Sequence, residues 1–88
     1  VTEYSIEVRV TPRRGILDPQ GKAVGGALAS LGFSGVGEVH VGRIVVFSLT
    51  AEGEPQARES AEAMCRQLLA NPVTEDFRIT VSPAENVG

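Results

Sequence analysis

Cys65 and His40 each occur once in this 88-residue chain, and they are the side chains best suited to nucleophilic or metal chemistry. A thiolate nucleophile needs a base beside it and an exposed elbow to stand on. Cys65 instead lies between Met64 and Arg66 in a run of helical periodicity, where it reads as a half-buried helical thiol. A soft-metal site needs a second thiolate at Cys-x-x-Cys spacing, and a zinc site needs several Cys or His ligands, so neither can be built within one chain. His40 reads as a polar residue on an exposed face. The remaining candidates are anion cradles. Arg13-Arg14-Gly15 follows the first strand where an acylphosphatase-like enzyme holds a phosphoryl group, but Asp18 puts a carboxylate on the N–H groups that such an anion needs. Gly35-Val36-Gly37 would need a further glycine at His40 for a dinucleotide fingerprint, and no Lys-Ser or Lys-Thr follows a glycine in the P-loop manner. No catalytic and no metal-binding residue is assigned.

Composition points the same way. A domain of 88 residues has room for one core and little for an enclosed substrate cavity. The 8 basic and 11 acidic side chains give a net charge of −3. Only Arg13 and Arg14 are adjacent, so no basic cluster exists to neutralise phosphates, and with no Trp, one Tyr and three Phe there is little for bases to stack on. Nucleic acid is therefore not an expected partner. The longest run of large apolar residues, Ile44 to Phe47, is too short to span a bilayer, and the N-terminal alternation is that of a strand and not of a signal peptide. The expectation is a soluble cytoplasmic protein with a single domain over 1–82 and a loose tail over 83–88.

These residues must be positioned by six elements. Tyr4, Ile6, Val8 and Val10 alternate with Ser5, Glu7 and Arg9, which predicts a strand with one buried face. Asp18-Pro19 is an N-cap followed by a first-turn proline. The helix it opens has Val24, Ala27, Leu28 and Leu31 as its apolar stripe and stops at Gly32. Val36 to Thr50 predicts two strands. A loop of Gly42, Arg43 and Ile44 places Val39 and Val41 on one face with Val45, Phe47 and Leu49. A second helix from Pro55 has Ala57, Ala61, Met64 and Leu68 as its stripe, with Glu62 and Arg66 paired on its wet side, and Asn71-Pro72 ends it. Phe77, Ile79 and Val81 form a last strand. The order βαββαβ predicts an α+β, ferredoxin-like sandwich: a four-stranded antiparallel sheet with two helices on one face. Glu7, Arg9, Glu38, His40, Val46, Arg78 and Thr80 fall on the open face. An RNA-recognition module would show aromatics there.

Some surfaces suit an assembly better than a monomer. The first helix carries Gly25, Gly26 and Ala29 opposite its core stripe, where a solvated helix would have Glu, Lys or Arg, and each glycine costs roughly 1 kcal/mol relative to Ala. Leu69 falls outside the second helix's stripe, and Ile44 and Val46 fall outside the core. Together they point to a surface covered by other chains.

Two segments carry a family resemblance. Gly15-Ile16-Leu17-Asp18-Pro19-Gln20-Gly21-Lys22-Ala23-Val24, with Ala27-Leu28 and Leu31-Gly32-Phe33 after it, resembles the N-terminal motif of the PurS subunits of phosphoribosylformylglycinamidine synthase. Cys65 to Phe77 resembles their second motif, and Val39-His40-Val41-Gly42-Arg43 their Val-Arg-x-Gly-Lys hairpin; the likeness runs from about Tyr4 to Val81. It implies a non-catalytic role in purine biosynthesis. A glutaminase subunit releases ammonia, a synthetase subunit uses ATP and Mg to activate the formamide oxygen of formylglycinamide ribonucleotide, and the PurS chain, itself a dimer or higher oligomer, bridges the two. This chain would bind no cofactor of its own. The resemblance places partner contacts on Asp18, Gln20, Gly21, Arg43, Leu69, Asn71 and Glu75. His40 stands where the family has Arg, Arg43 where it has Lys and Thr74 where Ile is common, and His40 would make a weaker, pH-dependent contact. The competing expectation is a ligand-sensing ferredoxin-like dimer that binds a metabolite such as an amino acid.

Overall fold

The computed structural model describes residues 1–84. The elements are β1 (Thr2–Pro12), α1 (Pro19–Ser30), β2 (Arg43–Ala51), α2 (Glu54–Met64), a π-helical turn (Cys65–Leu69) and β3 (Glu75–Pro83). β1 is the middle strand of a three-stranded antiparallel sheet ordered β2-β1-β3. Its alternation sets the core: Ile6, Val8 and Val10 are fully buried. The register brings Phe47 and Val45 beside Ile6 and Val8 from one side, and Val81, Ile79 and Phe77 beside Ile6, Val8 and Val10 from the other. α2 crosses this face on Ala57 and Ala61, small enough to let the helix backbone approach the strands, and Ala51, Cys65 and Ala70 complete the buried cluster.

The predicted fourth strand is absent among the described residues, and with it the hairpin loop at Gly42, Arg43 and Ile44. Residues 36–42 pair with no strand, and β2 starts at Arg43. Val39 and Val41 are half-buried, yet what they pack near is α1 and not the sheet: Gly25 lies beside the Val39 side chain. Glu38 and His40 consequently leave the open sheet face, which keeps Glu7, Arg9, Val46, Arg78 and Thr80.

The second correction concerns α1. Its ends are as predicted, with Asp18 at the N-cap and a Schellman closure in which Gly32 N–H donates to Ala29 O (3.0 Å) and Phe33 N–H to Leu28 O (3.1 Å), with Gly32 at φ +91°. The helix does not lie on the sheet, however. Only α2 packs across all three strands. α1 projects beyond the sheet end, so the molecule measures 52 × 34 × 16 Å; β1 and α1 laid end to end span roughly 35 and 18 Å. Of the predicted core stripe, Leu28 is half-buried, while Val24, Ala27 and Leu31 are exposed.

The third correction is a one-residue rotation at the end of α2. Ala70 N–H donates to Cys65 O at 3.0 Å, an i to i−5 bond that adds a residue to the turn. The apolar face therefore passes from Ala57 and Ala61 to Cys65 and Leu69, while Leu68 is 82% exposed. Leu69 is a core contact and not the free apolar side chain that regular helical spacing predicts. At the C-terminus β3 runs through Pro83, and Ala84 N–H donates to Glu3 O (3.1 Å), so the sheet takes up the start of the expected tail. The rest of that tail, 85–88, lies outside the described residues.

The π turn generates a direct comparison. Leu69→Ala should lower stability by about 1–2 kcal/mol, part of the value of a fully buried leucine, whereas Leu68→Ala should stay within about 0.5 kcal/mol. Urea unfolding midpoints of the two variants measure the difference, and equal midpoints would contradict the rotated register.

Candidate functional site

Asp18 stands where β1's exit loop becomes α1. Its Oδ1 accepts Gly21 N–H (2.9 Å), the N-cap bond expected from Asp18-Pro19, and its Oδ2 accepts Val41 N–H (2.9 Å) from the segment that returns to the sheet. The His40 imidazole lies between two carboxylates, with Nδ1 3.5 Å from Asp18 Oδ2 and Nε2 3.3 Å from Glu38 Oε1. The N–H groups of Gly21 and Val41, with a smaller contribution from His40, hold the Asp18 carboxyl below the usual carboxylate range. Gly21 is the buried residue of α1, because Val39 O and the Asp18 side chain occupy the space a Cβ would need. Any larger residue there would push the returning segment off the helix.

A second cluster begins two residues later. Arg43 donates from Nη1 to Glu75 Oε2 (2.7 Å), and from Nη2 to Glu75 Oε1 (3.1 Å) and Leu69 O (2.5 Å). Glu75 Oε1 also accepts Asn71 N–H (2.7 Å), and Asn71 Oδ1 accepts Val73 N–H (3.0 Å). One guanidinium thus ties the start of β2 to the end of the π turn and the start of β3. The bidentate Arg43 pairing, helped by Asn71 N–H, lowers the Glu75 carboxyl pKa, and the same pair raises that of Arg43.

The two clusters share an open cleft of about 450 Å³ at this end of the sheet. Ile16, Leu17, Asp18, Gln20, Arg43 and Glu75 are among its lining residues. Four of the residues expected to contact partners therefore meet in one place: Asp18, Gln20, Arg43 and Glu75. Gln20 is exposed at the rim. The other candidates are placed differently. Gly21 and Gly25 face the returning segment of their own chain, while Gly26 has open space around it and Ala29 is exposed. Leu69 contributes its carbonyl to the Arg43 clasp, and Asn71 its backbone N–H.

Chemically, this arrangement holds backbone segments together. Among the described residues no three His, Cys, Asp or Glu side chains converge as a metal site, and no helix is long and apolar enough to cross a membrane. Cys65 is fully buried, deeper than the half-buried thiol expected, and burial pushes its pKa up, away from a reactive thiolate. Sequence reasoning did not foresee the Asp18 to Val41 bond, the Arg43–Glu75 pair or the imidazole between Glu38 and Asp18. Their partners come from segments that only the fold brings together, and no local spacing signals them.

Comparison with known proteins follows this geometry. The family model PurS, described as phosphoribosylformylglycinamidine (FGAM) synthase, matches residues 5–83. The PurS subunit of phosphoribosylformylglycinamidine synthase from Methanocaldococcus jannaschii is 37% identical over 82 residues, 93% of this chain and 99% of that protein. The Mycobacterium leprae PurS subunit is 42% identical over 73 residues, 83% of this chain and 89% of that protein. The crystal structure of M. jannaschii PurS, one of the subunits of formylglycinamide ribonucleotide amidotransferase in the purine biosynthetic pathway, matches 93% of this chain and 99% of its own, with a TM-score of 0.80 and 36% identity. A chain in the structure of PurLQS from Thermotoga maritima, at 23% identity, shares the fold with a TM-score of 0.83, matching 93% of this chain and all of its own.

Both carboxylates titrate to higher pKa on unfolding, so the stability they confer is present above their ordinary values of 3.8 and 4.5 and is lost as pH falls through the lower folded values. Urea midpoints measured from pH 6 down to pH 2 should therefore fall steeply for the native chain. Asp18→Asn and Glu75→Gln should start lower at pH 6 and fall less steeply with acid. Slopes equal to the native one would remove these two groups as the acid-sensitive clasps.

Proposed function

The chain belongs to the PurS family of phosphoribosylformylglycinamidine synthase subunits, and we propose that it serves this ligase as a non-catalytic connector, holding the glutaminase and ATP-dependent synthetase subunits together so that ammonia passes between them. The observation that carries the reading is the family match over residues 5–83, on a chain whose polar clusters are engaged in internal hydrogen bonds. A connector needs shaped surface and no nucleophile. On this reading the chemistry stays with the partners: the glutaminase supplies ammonia from glutamine, and the synthetase holds ATP and Mg and activates the formamide oxygen that ammonia displaces. The chain works in the cytoplasm and binds no cofactor.

The partner contacts fit best around the cleft rim, where Gln20 is exposed and the outer edges of Asp18, Arg43 and Glu75 are grouped, with Gly26 and Ala29 on the bare side of α1 as a second contact area. Self-association belongs to the same reading. An amino-acid sensor is not favoured, because the relatives and structures matched above are PurS chains.

Reconstitution with the glutaminase and synthetase subunits tests the proposal. Leaving out this chain should abolish formation of the amidine from glutamine, while a high concentration of ammonium salt should restore it, because free ammonia bypasses the bridge. Unchanged glutamine-dependent turnover without the chain would defeat the connector reading.

A further inference from the structure

The sheet face turned away from α2 holds two arginines that the fold itself does not use. The strands alternate cleanly, so Glu7 and Arg9 of β1, Ile44 and Val46 of β2, and Arg78 and Thr80 of β3 are all exposed there. The register sets them in two rows across the sheet, Ile44–Arg9–Arg78 and Val46–Glu7–Thr80. Arg9 and Arg78 therefore stand directly opposite each other, where Cβ atoms lie roughly 4.5–5.5 Å apart and like charges destabilise a strand pair. Among the described residues Arg13, Arg43, Arg58 and Arg66 each reach a carboxylate, while Arg9 and Arg78 form no ion pair. The acids nearest along the strands do not relieve them. Asp76 is taken by Arg13 (3.2 Å), and Glu7 pairs with neither guanidinium.

The two guanidiniums border an open cleft of about 340 Å³, together with Thr11, Asp76 and Phe77. Each is a planar fork of N–H donors that matches a carboxylate. In water such an exposed pair holds an anion weakly, because salt screens it and two long side chains must be ordered. The attraction grows only when something large covers the site and excludes water. Beside Arg9 on β2 lie Ile44, 54% exposed, and Val46, 64% exposed, an apolar flank that a covering chain would bury. Arginine next to apolar side chains is the make-up of a protein interface. The backbone beneath is already fixed, since Val8 and Val10 on either side of Arg9 are fully buried, so docking there needs little further ordering. A nucleic acid would need more basic charge than two arginines on a chain of net charge −3. A second copy meeting this face with its own, about an axis through the pair, would set arginine against arginine.

We propose that this end of the open sheet face docks an acidic segment of a partner subunit, a carboxylate seating between the Arg9 and Arg78 guanidiniums and an apolar side chain resting on Ile44 and Val46. The inference deepens the connector reading and rests on it for the identity of the partner, the glutaminase or the synthetase. To the cleft rim and the bare side of α1 it adds a contact area whose strength depends on salt. The isolated chain carries a repulsion between β1 and β3 at this row, and the partner's carboxylate cancels it on docking, so the charge that weakens the free chain strengthens the complex.

Binding of the native chain and its variants to the glutaminase and synthetase subunits, each alone and the two mixed, tests the docking by biolayer interferometry at low and high salt. The dissociation constant of Arg9→Gln/Arg78→Gln should rise by at least about 30-fold at low salt, the loss expected of one interface hot spot, and Arg9→Glu/Arg78→Glu should bind more weakly still. Native affinity should fall as salt is raised, and that of the Gln variant should change less. Arg66→Gln, which removes a charge from the α2 side, should bind as the native chain does. Because Arg9 and Arg78 are exposed and repel each other, the Gln variant should unfold at a urea midpoint no lower than the native one, which separates lost docking from lost fold. A Gln variant that binds as tightly as the native chain, keeps the native salt dependence, unfolds earlier, or changes only its own association state in sedimentation equilibrium would overturn the proposal. Glutamine-dependent turnover with and without the native chain reports separately on the connector reading: turnover that needs the chain, with variants that bind normally, sinks the docking alone.

Discussion

The Asp18 carboxylate takes the N–H of Gly21 with one oxygen and that of Val41 with the other, and the course of the arm formed by α1 and residues 36–41 follows from that fork. A helix N-cap is ordinarily a local device that satisfies one or two orphan donors. Here it also fastens the helix to a segment 23 residues further along, so the position of the cap is the position of the bend. Val39 O then rests where a Cβ of residue 21 would be, which leaves glycine as the side chain that allows the two strands of backbone to run together. Two residues past Val41 the chain meets the Arg43–Glu75 pair, which fixes where β2 begins. Between the two carboxylates the direction of the chain is determined, and it points the arm away from the sheet.

Elements whose cause is local could be read from sequence. β1 and β3 declare themselves by period-2 alternation with a turn at each end, α1 by Asp18-Pro19 and Gly32, and α2 by Pro55 and its alanines. The misplaced strand at 36–41 shows the boundary of that method. Val39 and Val41 alternate with Glu38 and His40, and the alternation is real: the two valines are half-buried and the two polar residues exposed. Period 2 reports that an extended segment has a covered side; it does not say whether a sheet or a glycine-faced helix covers it. The exchange of Leu68 for Leu69 has a similar origin. Helical spacing assumes 3.6 residues per turn, and the π turn after Met64 inserts one more, so each later position moves to the neighbouring face.

The candidate site was legible by residue type and not by arrangement. Asp18, Gln20, Arg43 and Glu75 were singled out one at a time, and the fold gathers them at one cleft. Gly25 and Leu69 were singled out as bare surface, but they are intramolecular contacts. The difference lies in what holds each residue. A glycine on a helix face is compatible with any close neighbour, including the same chain, whereas a charged side chain near a sheet end must find a partner or water, and Arg43 and Glu75 find each other.

These constraints bear on what the two clasp carboxylates are free to do. Catalysis needs polar groups whose hydrogen bonds remain incomplete until substrate arrives. In this chain the strongest polar groups, the Asp18 and Glu75 carboxylates, are already engaged by backbone N–H groups and by Arg43. Recruiting either one for a reaction would loosen the bend that aims the arm. The bonds that make the clasps stable are thus the same ones that keep these two carboxylates from a reaction.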